Sequence, residues 1–211
     1  MRALLVTVLM LNALAACSQA PSGPSAVGTG APVIVPEKPG APGRTATPGE
    51  RVGQGAATPA AADVRFAEGM IPHHRQALEM TSLVTNRGRS EEVRRFADQI
   101  ALTQQPEIDL MTNWLALVGR PAPRGHAHRG GDGYGMATEE QLQALRAARG
   151  GAFDRMFLQL MIRHHEGAVK MAGEELAEGK DQRMRMMARD VYAGQRIEIA
   201  RMRKTLERLP A

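Results

Sequence analysis

Of 211 residues only one is cysteine, one tryptophan, two tyrosine and four phenylalanine. With Cys17 alone, no disulfide can close within the chain and no thiolate cluster can hold a metal. So few aromatics leave no stacking platform for bases, and the charge excess is small, 27 Lys+Arg against 22 Asp+Glu. The arginines are interleaved with acids instead of gathered into a patch, so nucleic acid is excluded as a partner. No run alternates apolar and polar residues with period two, so no sheet is expected. What the chain does have is methionine, 13 of them, a residue that serves both as adaptable core filler and as a soft metal ligand.

The first residues, "MRALLVTVLMLNALAAC", combine one arginine, a short apolar run and small residues before Cys17. The run is short for a membrane span and reads as a secretory signal, residues 1–16. "LAAC" resembles the lipobox of bacterial lipoproteins, which implies cleavage before Cys17 and lipidation of its thiol. Ser18 in place of aspartate implies, by the same analogy, the periplasmic face of the outer membrane in a Gram-negative cell. Residues 17–62 are then a lipidated cysteine and a tether dominated by Pro, Gly, Ala, Ser and Thr, too polar to repay the entropy of ordering.

From Asp63 the chain repeats itself at an offset of 91 without a gap. Asp63, Phe66, Met70, Ile71, His73, His74, Ala77 and Met80 match Asp154, Phe157, Met161, Ile162, His164, His165, Ala168 and Met171. The register holds through Ala97 with Ala188, Gln104 with Gln195, Glu107 with Glu198, Ile108 with Ile199 and Met111 with Met202. Such agreement indicates a duplicated unit, with copies at 63–118 and 154–208 joined by 119–153. Each copy divides into two helical stretches, near 63–86 and 90–118, then 154–177 and 181–208. Ser90 before two glutamates is a suitable N-cap, and "NRG" and "EGK" form short turns. Thr138 with Gln141 predicts a capping box for a short helix over about 139–149. The expected fold is all-α, a four-helix bundle of two antiparallel hairpins sharing one core. Pro72 and Pro106 each remove an amide donor within a helical pattern, so local bends are expected there and the halves should differ in detail.

At 100° per residue, adjacent histidines cannot point the same way. Each pair instead straddles the apolar stripe, one ring aimed at each neighbouring helix. The second helix of each copy carries Gln104 and Glu107, or Gln195 and Glu198, in the middle of an apolar face. A carboxylate there must protonate, pair or ligate a metal. One reading is structural: each glutamate bonds a histidine and sets the bundle's register, while methionines fill gaps. The other is a metal site drawn from Met70, His73, His74, Met80, Glu107, Met111, Met161, His164, His165, Met171, Glu198 and Met202. Thioethers suit Cu(I) and imidazole suits Cu(II) and also accepts Cu(I), so copper is the first choice. His126 and His128, in "HAH", offer two further imidazoles in a loop.

The repeated pattern of aspartate, phenylalanine, methionine, paired histidines, alanine and methionine, followed by glutamine, Glu-Ile and methionine, resembles the DUF305 family over residues 63–208. The resemblance implies a ferritin-like, all-helical bundle in an exported protein that binds or buffers copper, with silver as a non-physiological substitute. Two other functional classes stand beside copper binding. One is a metal-independent scaffold that dimerises or binds an envelope protein. The other is a di-iron oxidoreductase, for which the Glu-x-x-His spacing is lacking, since Met70 and Met161 stand three residues before His73 and His164. A binding protein, not an enzyme, is the expectation.

Overall fold

The computed structural model describes residues 32–35, 42–47, 59–124 and 133–210. Expectations about the signal segment, Cys17 and the His126–His128 loop lie outside these residues. The chain divides into two units, one ending at Ala56 and one beginning at Ala57.

In the first unit, β1 (Ile34–Val35) pairs antiparallel with β2 (Arg44–Thr45), Ile34 lying opposite Thr45. The amide of Ala46 donates to the carbonyl of Val33 at 2.8 Å. The expectation of no sheet is corrected here. A ladder of two residues per strand is too short to show an alternating pattern, so periodicity carried no trace of it.

The second unit is helical. α1 (Ala61–Arg87) and α2 (Glu91–Leu117) form the first hairpin, and α4 (Gly150–Glu178) and α5 (Gln182–Arg208) form the second. The connection carries a 3₁₀ turn at Gly133–Gly135 and α3 (Glu139–Ala147). Both expected caps are present: Ser90 accepts from the amide of Val93, and Thr138 and Gln141 bond reciprocally. Pro72 and Pro106 both lie inside continuous helices.

α1 packs on α2 and α4 on α5, and the hairpins meet chiefly along α1 and α4. Their ends are tied by an exchange. Asp63 Oδ1 accepts from the amides of Lys180 and Asp181 at 2.8 and 2.9 Å, in the turn of the second hairpin. Asp154 accepts from the amides of Arg89 and Ser90, in the turn of the first. These positions correspond at the offset of 91, so the hairpins are related by an approximate two-fold. Each aspartate, fully buried, satisfies orphan donors at the start of a helix it does not belong to.

The apolar interior forms two clusters. One gathers Met80, Phe96, Ile100, Phe157, Met161 and Met202 with their neighbours, and the other Phe66, Met70, Met111, Trp114, Met171 and Met187 with theirs. Both draw on all four long helices, and between them the buried residues of each helix, Pro72 and Gly167 apart, are polar.

Candidate metal centre

That polar layer holds His73 and His74 on α1, Gln104 and Glu107 on α2, His164 and His165 on α4, and Gln195 and Glu198 on α5. In each helix it interrupts the apolar stripe, between Ile71 and Ala77, Ile100 and Ile108, Ile162 and Ala168, and Val191 and Ile199. All four imidazoles are buried, His74, His164 and His165 completely. The pairs straddle the stripe as their helical spacing requires. His73 and His164 face each other across the α1–α4 interface, ring centroids 3.7 Å apart and planes 32° apart. His74 and His165 turn the other way, each to the second helix of its own hairpin. His74 Nε2 meets Glu107 Oε2 at 2.7 Å and His165 Nε2 meets Glu198 Oε2 at 2.8 Å. The two-fold maps one bond onto the other.

These contacts define the donor atoms. A carboxylate accepts, so Nε2 of His74 and of His165 carries the proton and donates it. In a neutral ring Nδ1 is then a bare lone pair, and Nδ1 of both rings is buried without a partner. His73 Nε2 lies 2.9 Å from the carbonyl of Tyr134, again an acceptor only, which leaves its buried Nδ1 unpartnered too. The nitrogens of His164 make no well-aligned hydrogen bond, with only the His73 backbone as a polar partner beside the ring. Burial pushes the His73 imidazole down to about 3, helped by the neighbouring His74, and the Tyr134 carbonyl only partly opposes this. Burial and the proximity of the other three rings likewise hold His164 well below the ordinary histidine range. Both are neutral at pH 7, the form that binds a metal.

The six predicted methionines divide by the same symmetry. Met80, Met161 and Met202 belong to one apolar cluster, and Met171, Met70 and Met111, their counterparts at the offset of 91, to the other. All are buried. The twelve predicted residues thus form a central imidazole–carboxylate layer with a thioether trio on either side. Among the described residues no three His, Cys, Asp or Glu side chains come close enough together to hold an ion by themselves. The orphaned lone pairs nonetheless fit a soft ion, because they are imidazole nitrogens with thioether sulfurs in the clusters on either side, and no cage of carboxylates such as a hard ion needs stands among the described residues.

Sequence reasoning noted Gln104 and Gln195 without assigning them a place. Both are buried in the layer with their amide oxygens unpartnered. It also missed Tyr134. This residue sits in a strap laid across α4, where a Cβ on Gly167 would stand 1.6 Å from the Tyr134 carbonyl oxygen, so only glycine admits the crossing. Gln76 fixes the strap's far end through two bonds to the backbone of Ala137, at 2.9 and 2.7 Å. An "x-H-H-x-Q" against "x-H-H-x-G" difference between the copies was the available signal. Glu175 is a further surprise. It occupies the position of Val84, is 1% exposed, and lies against the carboxyl of Asp63. Burial, then a hydrogen bond to Asp63 and that residue's charge, raise its carboxyl to about 8.

Similar chains share this architecture. A DUF305 protein from Streptomyces coelicolor, assigned as secreted, is 36% identical, with a TM-score of 0.61 over 67% of this chain and 88% of that one. A DUF305 fragment from Deinococcus radiodurans is 33% identical, with a TM-score of 0.66 over 72% of this chain and 99% of the fragment. CopM in its Cu(II)-bound form is 31% identical, with a TM-score of 0.61 over 69% and 95%. CopM is also known in Cu(I)-bound and Ag-bound forms. An uncharacterized protein of Acanthamoeba polyphaga mimivirus is 36% identical over 53 residues, a match spanning 35% of that relative's length. No helix among the described residues is long and apolar enough to cross a membrane. The family model for a domain of unknown function, DUF305, matches residues 63–206, the span of the duplicated hairpins, and the chain belongs to that family.

Proposed function

We propose that this chain is an exported, lipid-anchored copper-binding protein that buffers or delivers copper in the cell envelope. The observation that carries the reading is the layer of four buried imidazoles, each with at least one nitrogen that has no partner within the protein. Leaving such atoms unpaired in an apolar interior costs about 1–3 kcal/mol apiece, an expense that a ligated ion removes. Glu107, Glu198 and the Tyr134 carbonyl hold three of the rings in the tautomer that frees Nδ1, the usual outer-sphere arrangement of a metal-binding histidine. The six thioethers favour the reduced, monovalent ion. The copper- and silver-bound forms of CopM support the choice of metal.

Anaerobic titration with Cu(I) against a chromophoric chelator tests this. The protein should retain at least one Cu(I) per chain, with nitrogen and sulfur neighbours in X-ray absorption. Replacing His73, His74, His164 and His165 together by alanine should abolish retention. Unchanged retention in that variant would defeat the proposal. The rival structural reading is favoured by the direct His–Glu bonds and expects no copper in either protein and no copper-dependent rise in melting temperature.

A further inference from the structure

A duplicated chain ought to have two equivalent openings onto its histidine layer, one beside each hairpin. Only one is open. A cavity of about 420 Å³ lies between α1, α4 and the 3₁₀ turn, and His73 is the one layer histidine that lines it. Resting on the copper reading above, we infer that this cavity is the port through which a soft monovalent metal ion reaches the buried imidazoles.

The lining changes character from mouth to floor. Glu68, Glu174 and Glu178 stand towards solvent with Arg65 among them, Arg120 bonded to Glu68 from outside the lining and Lys170 over the Tyr134 ring. Glu68 and Glu178 bond to Arg120 and Arg65, but these are exposed pairs whose attraction water and salt largely screen. Three carboxylates around one opening concentrate cations and raise their encounter rate. Deeper in, the lining offers two thioethers, Met136 and Met171, and the carboxyl of Glu175. Glu175 is almost wholly buried beside the Asp63 carboxyl and brings a buried acid to the lining. At the floor is His73. Beyond the acidic rim, the thioethers and then the imidazole are donors that suit Cu(I) better than the hard cations that the rim also attracts.

A second cavity shares only part of this wall. It lies between α3, α4 and α5 with no residue of α1 in its lining, and Met156, Gln159, Leu160 and Arg163 stand there where the port has Arg65, Glu68, Gly69 and Pro72. The rim carboxylate has become an amide, the small Gly69 a leucine and the proline an arginine. α3 covers this side through Gln141 and Ala144, Arg203 adds a second positive group, and no histidine lines the cavity. Matching positions of the two copies thus line unlike cavities, and the α1 set stands in the one that carries acids and a layer histidine.

The test is the rate at which metal-free full-length protein takes up Ag(I), which needs no reductant, followed by stopped-flow competition with a chromophoric chelator. E68Q/E174Q/E178Q should slow loading about tenfold at low ionic strength. The difference should shrink in high salt, and the final silver content should be unchanged. E68Q/E178Q, which leaves the Tyr134–Glu174 bond intact, should show a smaller slowing of the same kind. M136L should slow loading without the salt dependence, and Q159E at the other mouth should change nothing. Loading of the rim variants at the wild-type rate, or an equal effect from Q159E, overturns the port while leaving the histidine centre standing. If the wild-type protein retains no silver, the copper reading itself fails and the port with it.

Discussion

At the scale of single residues, the two glutamates in the layer govern the atoms that a metal would meet. Glu107 and Glu198 do not stand in a hard carboxylate cage. Each accepts a hydrogen bond from the Nε2–H of one imidazole and thereby leaves the unprotonated Nδ1 as the atom that can ligate a metal. E107Q/E198Q preserves shape but permits the opposite tautomer, since an amide both donates and accepts. Copper affinity should fall about 10–100-fold, the usual penalty for losing an outer-sphere partner. Chelator competition measures the loss, and nitrogen NMR of the imidazoles shows whether the tautomer changed with it. An unaltered affinity with a changed tautomer would show that Nδ1 is not the donor. The glutamates were legible in the sequence, because a carboxylate at the same place on two apolar faces demands a partner. Their manner of acting was not, because helical periodicity assigns a face and says nothing of which ring nitrogen faces it.

At the scale of elements, the helices followed from their patterns and ends. Ser90 and the Thr138–Gln141 box cap where cap chemistry requires, and α1, α2, α4 and α5 begin and end within a few residues of the sequence boundaries. The contacts between hairpins did not follow. Asp63 and Asp154 stood out as repeated identities, yet their partners lie 117 and 65 residues away and are backbone amides, which leave no mark on composition. The strap across Gly167 was hidden for the same reason, since close backbone approach depends on tertiary placement. D154A should destabilise the protein by about 1–3 kcal/mol by leaving the Arg89 and Ser90 amides unmet. D63A should cost about as much at the opposite end, also freeing the Ala60 amide that Asp63 Oδ2 accepts at 2.6 Å. Urea denaturation of each variant checks this, and a loss no larger than that of a surface substitution would contradict it.

At the scale of the whole molecule, buried ionisable groups shape stability against pH. His73, held near 3 against an unfolded value of 6.5, costs nothing above pH 6.5. Below it the unfolded chain gains a proton that the folded one refuses, and stability falls by up to about 1.4 kcal/mol per pH unit for each such ring. His164, also lowered, acts in the same direction. Glu175 runs the other way. Raised from 4.5 to about 8, it keeps its proton in the fold, so stability present below pH 4.5 is lost as pH rises towards 8. Two histidines outweigh one carboxyl between 4.5 and 6.5, so the metal-free protein should be most stable near pH 6.5. E175Q should abolish the decline from 6.5 to 8 and leave the acid side unchanged. Denaturation midpoints across pH 4.5–8.5 decide it.

The two unlike mouths bear on why the halves were joined at all. A pair of identical hairpins associating as separate molecules must repeat every feature on both sides of its axis, because one gene writes both. Once fused, each half mutates alone, and one side can keep a histidine-lined opening that its twin lacks. Covalent linkage thus gives a symmetric scaffold a front and a back.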